Sequence, residues 1–240
     1  MVAWPIWLEG IIMKQFGKQQ AGFTLVEIAI VLVIIGLLLG GILKGQEMIT
    51  QAKIKNLIND LNGITAAMNS YQDRYRALPG DDKNASTRWV NTTSSGNGDG
   101  VLQDPYLSTV PGTLTAQTGP ESVFFWHHLR LSGFVSGTGA DHPFNAVSGK
   151  MGVQTGAGLS TSAAPTTAPG ATLTGFGGLI LCSGNLPDKV AISIDAQLDD
   201  ANGATGSVRA ATQSGLPPTL DAGAGAAATN YVETGTNIYT

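Results

Sequence analysis

Residues 23–43 read FTLVEIAIVLVIIGLLLGGIL, and only Thr24 and Glu27 break the run of apolar and glycine residues. As a helix the run is roughly 32 Å long, close to the ~30 Å hydrocarbon thickness of a bilayer. A helix satisfies its own peptide groups, which lipid cannot do. The stretch therefore predicts a membrane span. Lys14 and Lys18 precede it and predict a cytoplasmic N-terminus, a vote weakened by Lys44, Lys53 and Lys55 at the far end. A secretory signal peptide would carry small residues for cleavage after its apolar region, and the chain instead runs on as helix beyond Leu43. The small residue lies in front, at Gly22. A cut there leaves the whole helix on the mature chain, with a new amine at Phe23.

Glu27 is the oddest residue of the run. A carboxylate inside an apolar span costs on the order of 2.5–3.5 kcal/mol, so it predicts a functional role and a positive partner. The amine at Phe23 is the nearest candidate, but within one helix Glu27 sits about 6 Å further along the axis. Between neighbouring chains staggered along an axis the two groups can meet. Such a pair would make the span an assembly device as well as an anchor.

Gly22-Phe23-Thr24-Leu25-Val26-Glu27 followed by an apolar helix resembles the prepilin motif of type IV pilins and type II secretion pseudopilins. The resemblance implies cleavage after Gly22 by a prepilin peptidase, methylation of Phe23 by the same enzyme, and docking through Glu27. It also implies an inner-membrane assembly platform and further copies of this or related chains as partners. The chain would sit in the bacterial inner membrane as a single-pass subunit, then in an extracellular or periplasmic filament. The leader carries Trp4, Pro5, Trp7 and Glu9, unlike the short basic leader of that family; Met13 onward gives MKQFGKQQAG, and Met13 is the expected start.

Beyond the span, Ile54, Leu57, Ile58, Leu61, Ile64, Met68, Tyr71, Tyr75 and Leu78 recur mostly at steps of three and four, an apolar stripe on one helix face. Pro79-Gly80 ends it, because proline lacks an amide donor and disfavours helix at the residue before it. From Phe23 to Ala77 this helix would run about 80 Å. Gly36, Gly40, Gly41 and Gly45 punctuate it, either for close helix packing or as a stretch able to lose helical order. The expected organisation is a leader at 1–22, a span at 23–43, an amphipathic stalk at 44–77 and a globular head at 78–240. The fold class is α+β and pilin-like, the long helix packed on a small antiparallel sheet. A helix is expected at Glu121–Leu131, and strands at Gly178–Cys182, Gly206–Ala210 and Tyr231–Tyr239. Val190–Leu198 suits either. Gly152–Gly178 and Ala211–Thr229, rich in Gly, Ala, Thr and Ser, read as loops.

Thirteen Lys+Arg against 17 Asp+Glu leave a net charge of −4, which argues against direct nucleic-acid binding. The single cysteine, Cys182, excludes a disulfide framework within the chain and reads as a small buried hydrophobe. His127 and His128 point about 100° apart on a helix and do not share a metal comfortably. No nucleophile elbow or phosphate-binding loop is present, so no enzyme activity is expected. Two oxygen-rich clusters remain. Asn97, Asp99 and Asp104 resemble half of a calcium loop, with a plain Asn-Gly turn as the alternative, and Asp195, Asp199 and Asp200 form a second candidate. No cofactor is required; a structural calcium is the one the residues suggest.

Overall fold

In a computed structural model, residues 22–90, 94–102, 106, 108, 120–155, 178–213 and 230–240 are described. The leader residues 1–21 with Met13, the loop acid Asp104, and the low-complexity segments 156–177 and 214–229 lie outside them. Contacts divide the chain into two units, Met1–Glu47 and Met48–Thr240.

The first long element is α1 (Leu25–Tyr75), a helix of 51 residues, unbroken through the four glycines. No proline interrupts it, and Thr24 caps its start. Within the first unit no residue from Gly22 to Glu47 is buried. Aliphatic side chains stand open on every face, from 46% exposure at Ile35 to 86% at Leu25. Among the described residues this is the one helix long and apolar enough to cross a membrane.

Within the second unit the same helix becomes one-sided, as the stripe predicts. Ile54, Leu57, Ala67 and Tyr71 are buried, and Ile58, Leu61, Ile64, Met68, Tyr75 and Leu78 are partly covered. Two groups of partners cover them. Ala67 and Tyr71 meet Phe125, Trp126 and Leu129 of α3 (Glu121–Leu131) and Met151 and Val153 of β1 (Met151–Thr155). Ile54 and Leu57 meet Val190 and Ile194 of α4 (Asp188–Leu198). α1 ends at Arg76, whose φ of 55° turns the chain out of the helix, and a short helix, α2 (Ala85–Arg88), follows the Pro79-Gly80 turn. Gly80 has a φ of 93°, and a Cβ there would stand 2.5 Å from the Glu121 carbonyl oxygen, so only glycine lets the turn pack against α3.

Among the described residues four strands make two small antiparallel sheets. β1 pairs with β2 (Leu179–Ser183), Gly152 facing Cys182, and β3 (Leu186–Pro187) pairs with β4 (Ile238–Tyr239). The fold is α+β. Three sequence expectations need correction. Residues 152–155 are strand rather than low-complexity loop; their side chains are buried almost without alternation, which hides a strand from a period-two reading. Gly206–Ala210 is a loop, because the Asp199 carboxylate takes the Ser207 and Val208 amides that a sheet ladder would need. In Tyr231–Tyr239 only the last two residues pair as described, since Asp188 takes the amides of Thr234 and Gly235. Val190–Leu198 is helix, entered through Pro187.

Candidate functional site

The start of α1 is a closed hydrogen-bonded unit. The Glu27 amide donates to Thr24 Oγ1 at 3.3 Å, while the Thr24 amide and hydroxyl donate to Glu27 Oε2 at 2.9 and 2.8 Å. This reciprocal arrangement is a capping box, which satisfies amides that the first helical turn leaves without partners. A carboxylate at a helix N-terminus also meets the positive end of the peptide dipoles. Thr24 was overlooked in the sequence, although the Thr-x-x-Glu spacing signals it. Gly22 and Phe23 precede the helix outside regular secondary structure, with Phe23 82% exposed. The scissile peptide predicted after Gly22 is thus presented outside helical structure, directly before a carboxylate held by its own chain.

A family profile described as the prokaryotic N-terminal methylation motif matches residues 17–43. The chain carries the methylation motif characteristic of type IV pilins and pseudopilins. It is therefore prepilin-like, and the motif marks structural subunits rather than enzymes. Processing by a prepilin peptidase and assembly with other pilins accord with the motif. Motif and apolar helix together fit a membrane-anchored subunit before assembly. No curated protein and no solved structure matches the chain.

The second unit carries three polar clusters. In the first, Asn97 and Asp99 bond each other and nearby amides: Asn97 Nδ2 donates to Asp99 Oδ2 at 2.9 Å, and Asp99 accepts from the Val101 amide. Asp81 accepts from the Gly98 and Gly100 amides at 2.5 and 2.6 Å, and Glu121 accepts from the Asn97 amide. Burial pushes the Asp81 carboxyl up, against the pull of these amides. This loop spends its oxygens on its own backbone.

The second cluster fastens the Pro79-Gly80 turn to α1. Tyr71 Oη donates to Asp82 Oδ2 at 2.7 Å, and Arg88 forms an ion pair with the same carboxylate. The Arg88 guanidinium also lies 4.6 Å from the Tyr75 ring centre, a cation–π contact. Beside it the Gly80 amide donates to His128 Nδ1, and His128 Nε2 faces the Ser94 carbonyl. Burial pushes His128 down to about 4. Neither adjacent histidine stands at a metal-like cluster among the described residues.

The third cluster lies at the end of α4. One carboxylate oxygen from each of Asp195, Asp199 and Asp200 lies within 4.8 Å of the others. Asp195 is buried: its Oδ1 accepts from the Ala201 amide at 3.2 Å, and the Tyr231 hydroxyl stands beside the same carboxylate. Burial pushes the Asp195 carboxyl up; the Tyr231 hydroxyl and Ala201 amide pull it down, and Asp200 and Asp199 push it up again. The chain end is fastened nearby without a disulfide. Asp188 accepts from the Thr234 and Gly235 amides at 2.9 and 2.6 Å, and Ala211 and Thr240 exchange backbone hydrogen bonds at 2.9 Å.

Proposed function

We propose that this chain is a prepilin cut after Gly22, methylated on Phe23 and assembled through Glu27 into an extracytoplasmic type IV pilus filament, as a major or minor pilin. The observation that carries the reading is the contrast at the start of α1. A run of aliphatic side chains stays bare on every face of its own fold, and its one carboxylate sits at the end where processing creates an amine. Lipid covers such a surface before assembly, and neighbouring helices cover it afterwards. In the lone subunit Glu27 holds neutral donors of Thr24. The charged amine of a neighbour is a stronger partner in a low-dielectric core, because charge-assisted hydrogen bonds are roughly twice as strong as neutral ones.

Glu27→Ala tests this directly. Sheared surface fibres from cells making the variant should lack the chain, while its level in the membrane fraction stays unchanged. An anchored monomeric binding module would show no assembly defect. The mature chain should begin at Phe23 and carry one added methyl group by intact mass. A subunit that assembles yet never reaches the cell surface would be a type II secretion pseudopilin instead.

A further inference from the structure

We propose that Asn202 is a self-modifying site, where the Gly203 nitrogen attacks the asparagine side chain and leaves aspartate or isoaspartate. The site is independent of the assembly reading above and rests on the loop that follows α4.

The chain contains three Asn-Gly pairs, Asn62-Gly63, Asn97-Gly98 and Asn202-Gly203. A glycine after asparagine has no Cβ to shield its main-chain nitrogen, which can then reach the asparagine Cγ. The new N–Cγ bond forms, the Cγ–Nδ2 bond breaks, and the proton of the glycine nitrogen leaves with Nδ2 as ammonia. Water then opens the cyclic imide at either carbonyl, giving aspartate or isoaspartate. Water is the only co-reactant, and no electrons change hands.

The fold treats the three pairs differently. Gly63 lies within α1, where its amide donates to the carbonyl four residues earlier. Asn97 sits in an Asx turn, its Oδ1 accepting from the Asp99 amide at 2.8 Å. There the Gly98 amide is held by Asp81 Oδ1 at 2.5 Å, and Asn97 Nδ2 by Asp99 Oδ2 at 2.9 Å. Nucleophile and leaving group are both tied down. Asn202 makes the same turn, its Oδ1 accepting from the Ala204 amide at 3.1 Å, which folds the side chain back over the Gly203 peptide. Among the described residues neither the Gly203 amide nor Asn202 Nδ2 has a hydrogen-bond partner. Both turns are bent for attack, and only the one at Asn202 is free to react.

Exposure alone gives the opposite order. Asn62 and Asn97 are exposed, whereas Asn202 is half-buried and Gly203 is buried. The attack is intramolecular, so position and a free nitrogen outweigh the amount of surrounding solvent. Half-burial of Asn202 still admits the water that opens the imide.

Isoaspartate inserts one carbon into the main chain of a closely bonded loop. The Asn202 and Gly203 carbonyls accept from the Thr205 and Ala210 amides at 3.0 and 2.9 Å, and Ala211 pairs with Thr240. Either product also adds a carboxylate beside Asp200, whose Oδ1 accepts from the Asn202 amide. Ageing at residue 202 therefore loosens the strap that holds the chain end.

The test incubates the full chain in detergent at mildly alkaline pH and follows the three Asn-Gly peptides by mass spectrometry. Acid at position 202 should accumulate at least about tenfold faster than at 62 or 97, the factor one hydrogen bond to a charged acceptor adds to a step that must break it. In guanidinium chloride all three should react at similar rates, which assigns the difference to the fold. Aged chain should melt below fresh chain, and Asn202→Gln should remove that drift. Asp81→Ala should speed residue 97 and leave 202 unchanged; if that variant does not fold, the native and denatured series still decide. Equal rates in the folded chain overturn the proposal, as does a lead at Asn97. So does a lead at Asn202 that persists by the same factor in denaturant.

Discussion

Between Leu25 and Glu47, α1 turns large aliphatic side chains outward on every face, whereas between Ile54 and Tyr71 it buries one stripe and leaves polar residues on the rest. The backbone is the same in both halves; the surroundings differ. A stripe marks a boundary between an apolar core and water, and a helix apolar all round marks a surrounding that is apolar in every direction. The second half is fixed by contacts within its own chain. Among the described residues the first makes none of comparable kind, and on the reading proposed above lipid or other subunits would cover it.

The most damaging change to the fixed half should be Asp82→Ala. It strips Arg88 of its ion-pair partner and Tyr71 of its acceptor inside the fold, and breaking a buried pair in this way costs about 3–5 kcal/mol. Denaturation followed by tryptophan fluorescence, with Trp89 and Trp126 beside the cluster, would measure it; a loss under 1 kcal/mol, at about the level of an exposed pair, would mean that the turn is held by packing alone. Leu57→Ala should cost about 2–5 kcal/mol, because its side chain is 1% exposed. The same truncation at Leu38, 61% exposed, should leave the denaturation midpoint unchanged. Equal losses at both positions would erase the distinction between the halves.

Acid sharpens the comparison. All three histidines, His127, His128 and His142, belong to the second unit, and burial pushes each of them down. The unfolded chain takes up protons as pH falls through about 6.5, while folded His128 resists until about 4. Stability is therefore full above that window and declines as pH falls through it. For His128 the span corresponds to roughly 3 kcal/mol, read from melting temperature against pH and flattened by His128→Gln. The smallest effect is expected at Thr24→Ala, about 1 kcal/mol and confined to the first turn of α1. Amide exchange at residues 25–28 should quicken while the second unit melts as before.

How much of this was legible in the sequence varies with the physics of each element. α3 begins and ends where Pro120 and Gly133 said it would, because both residues act locally on the backbone. The stripe on α1 was equally legible, since its period is a property of one helix. Gly206–Ala210 and most of Tyr231–Tyr239 misled because distant carboxylates, Asp199 and Asp188, claim their amides, and no local pattern announces that. Glu27 was read as an anomaly of the span; its bonds to Thr24 show that it also closes the first helical turn. The convergence of Asp195, Asp199 and Asp200 was only half legible. Composition showed the acids, and burial of one of them required the fold.

Cys182 has one more consequence. Burial pushes its thiol up to about 12, so it neither attacks nor exchanges under ordinary conditions, and it is the only sulfhydryl in the chain. The protein thus comes with a silent chemical background. A cysteine introduced along the bare part of α1 would be the sole reactive one, free to take a maleimide dye or to crosslink with its twin, and a ladder of such links would chart which residues lie side by side in an assembled fibre.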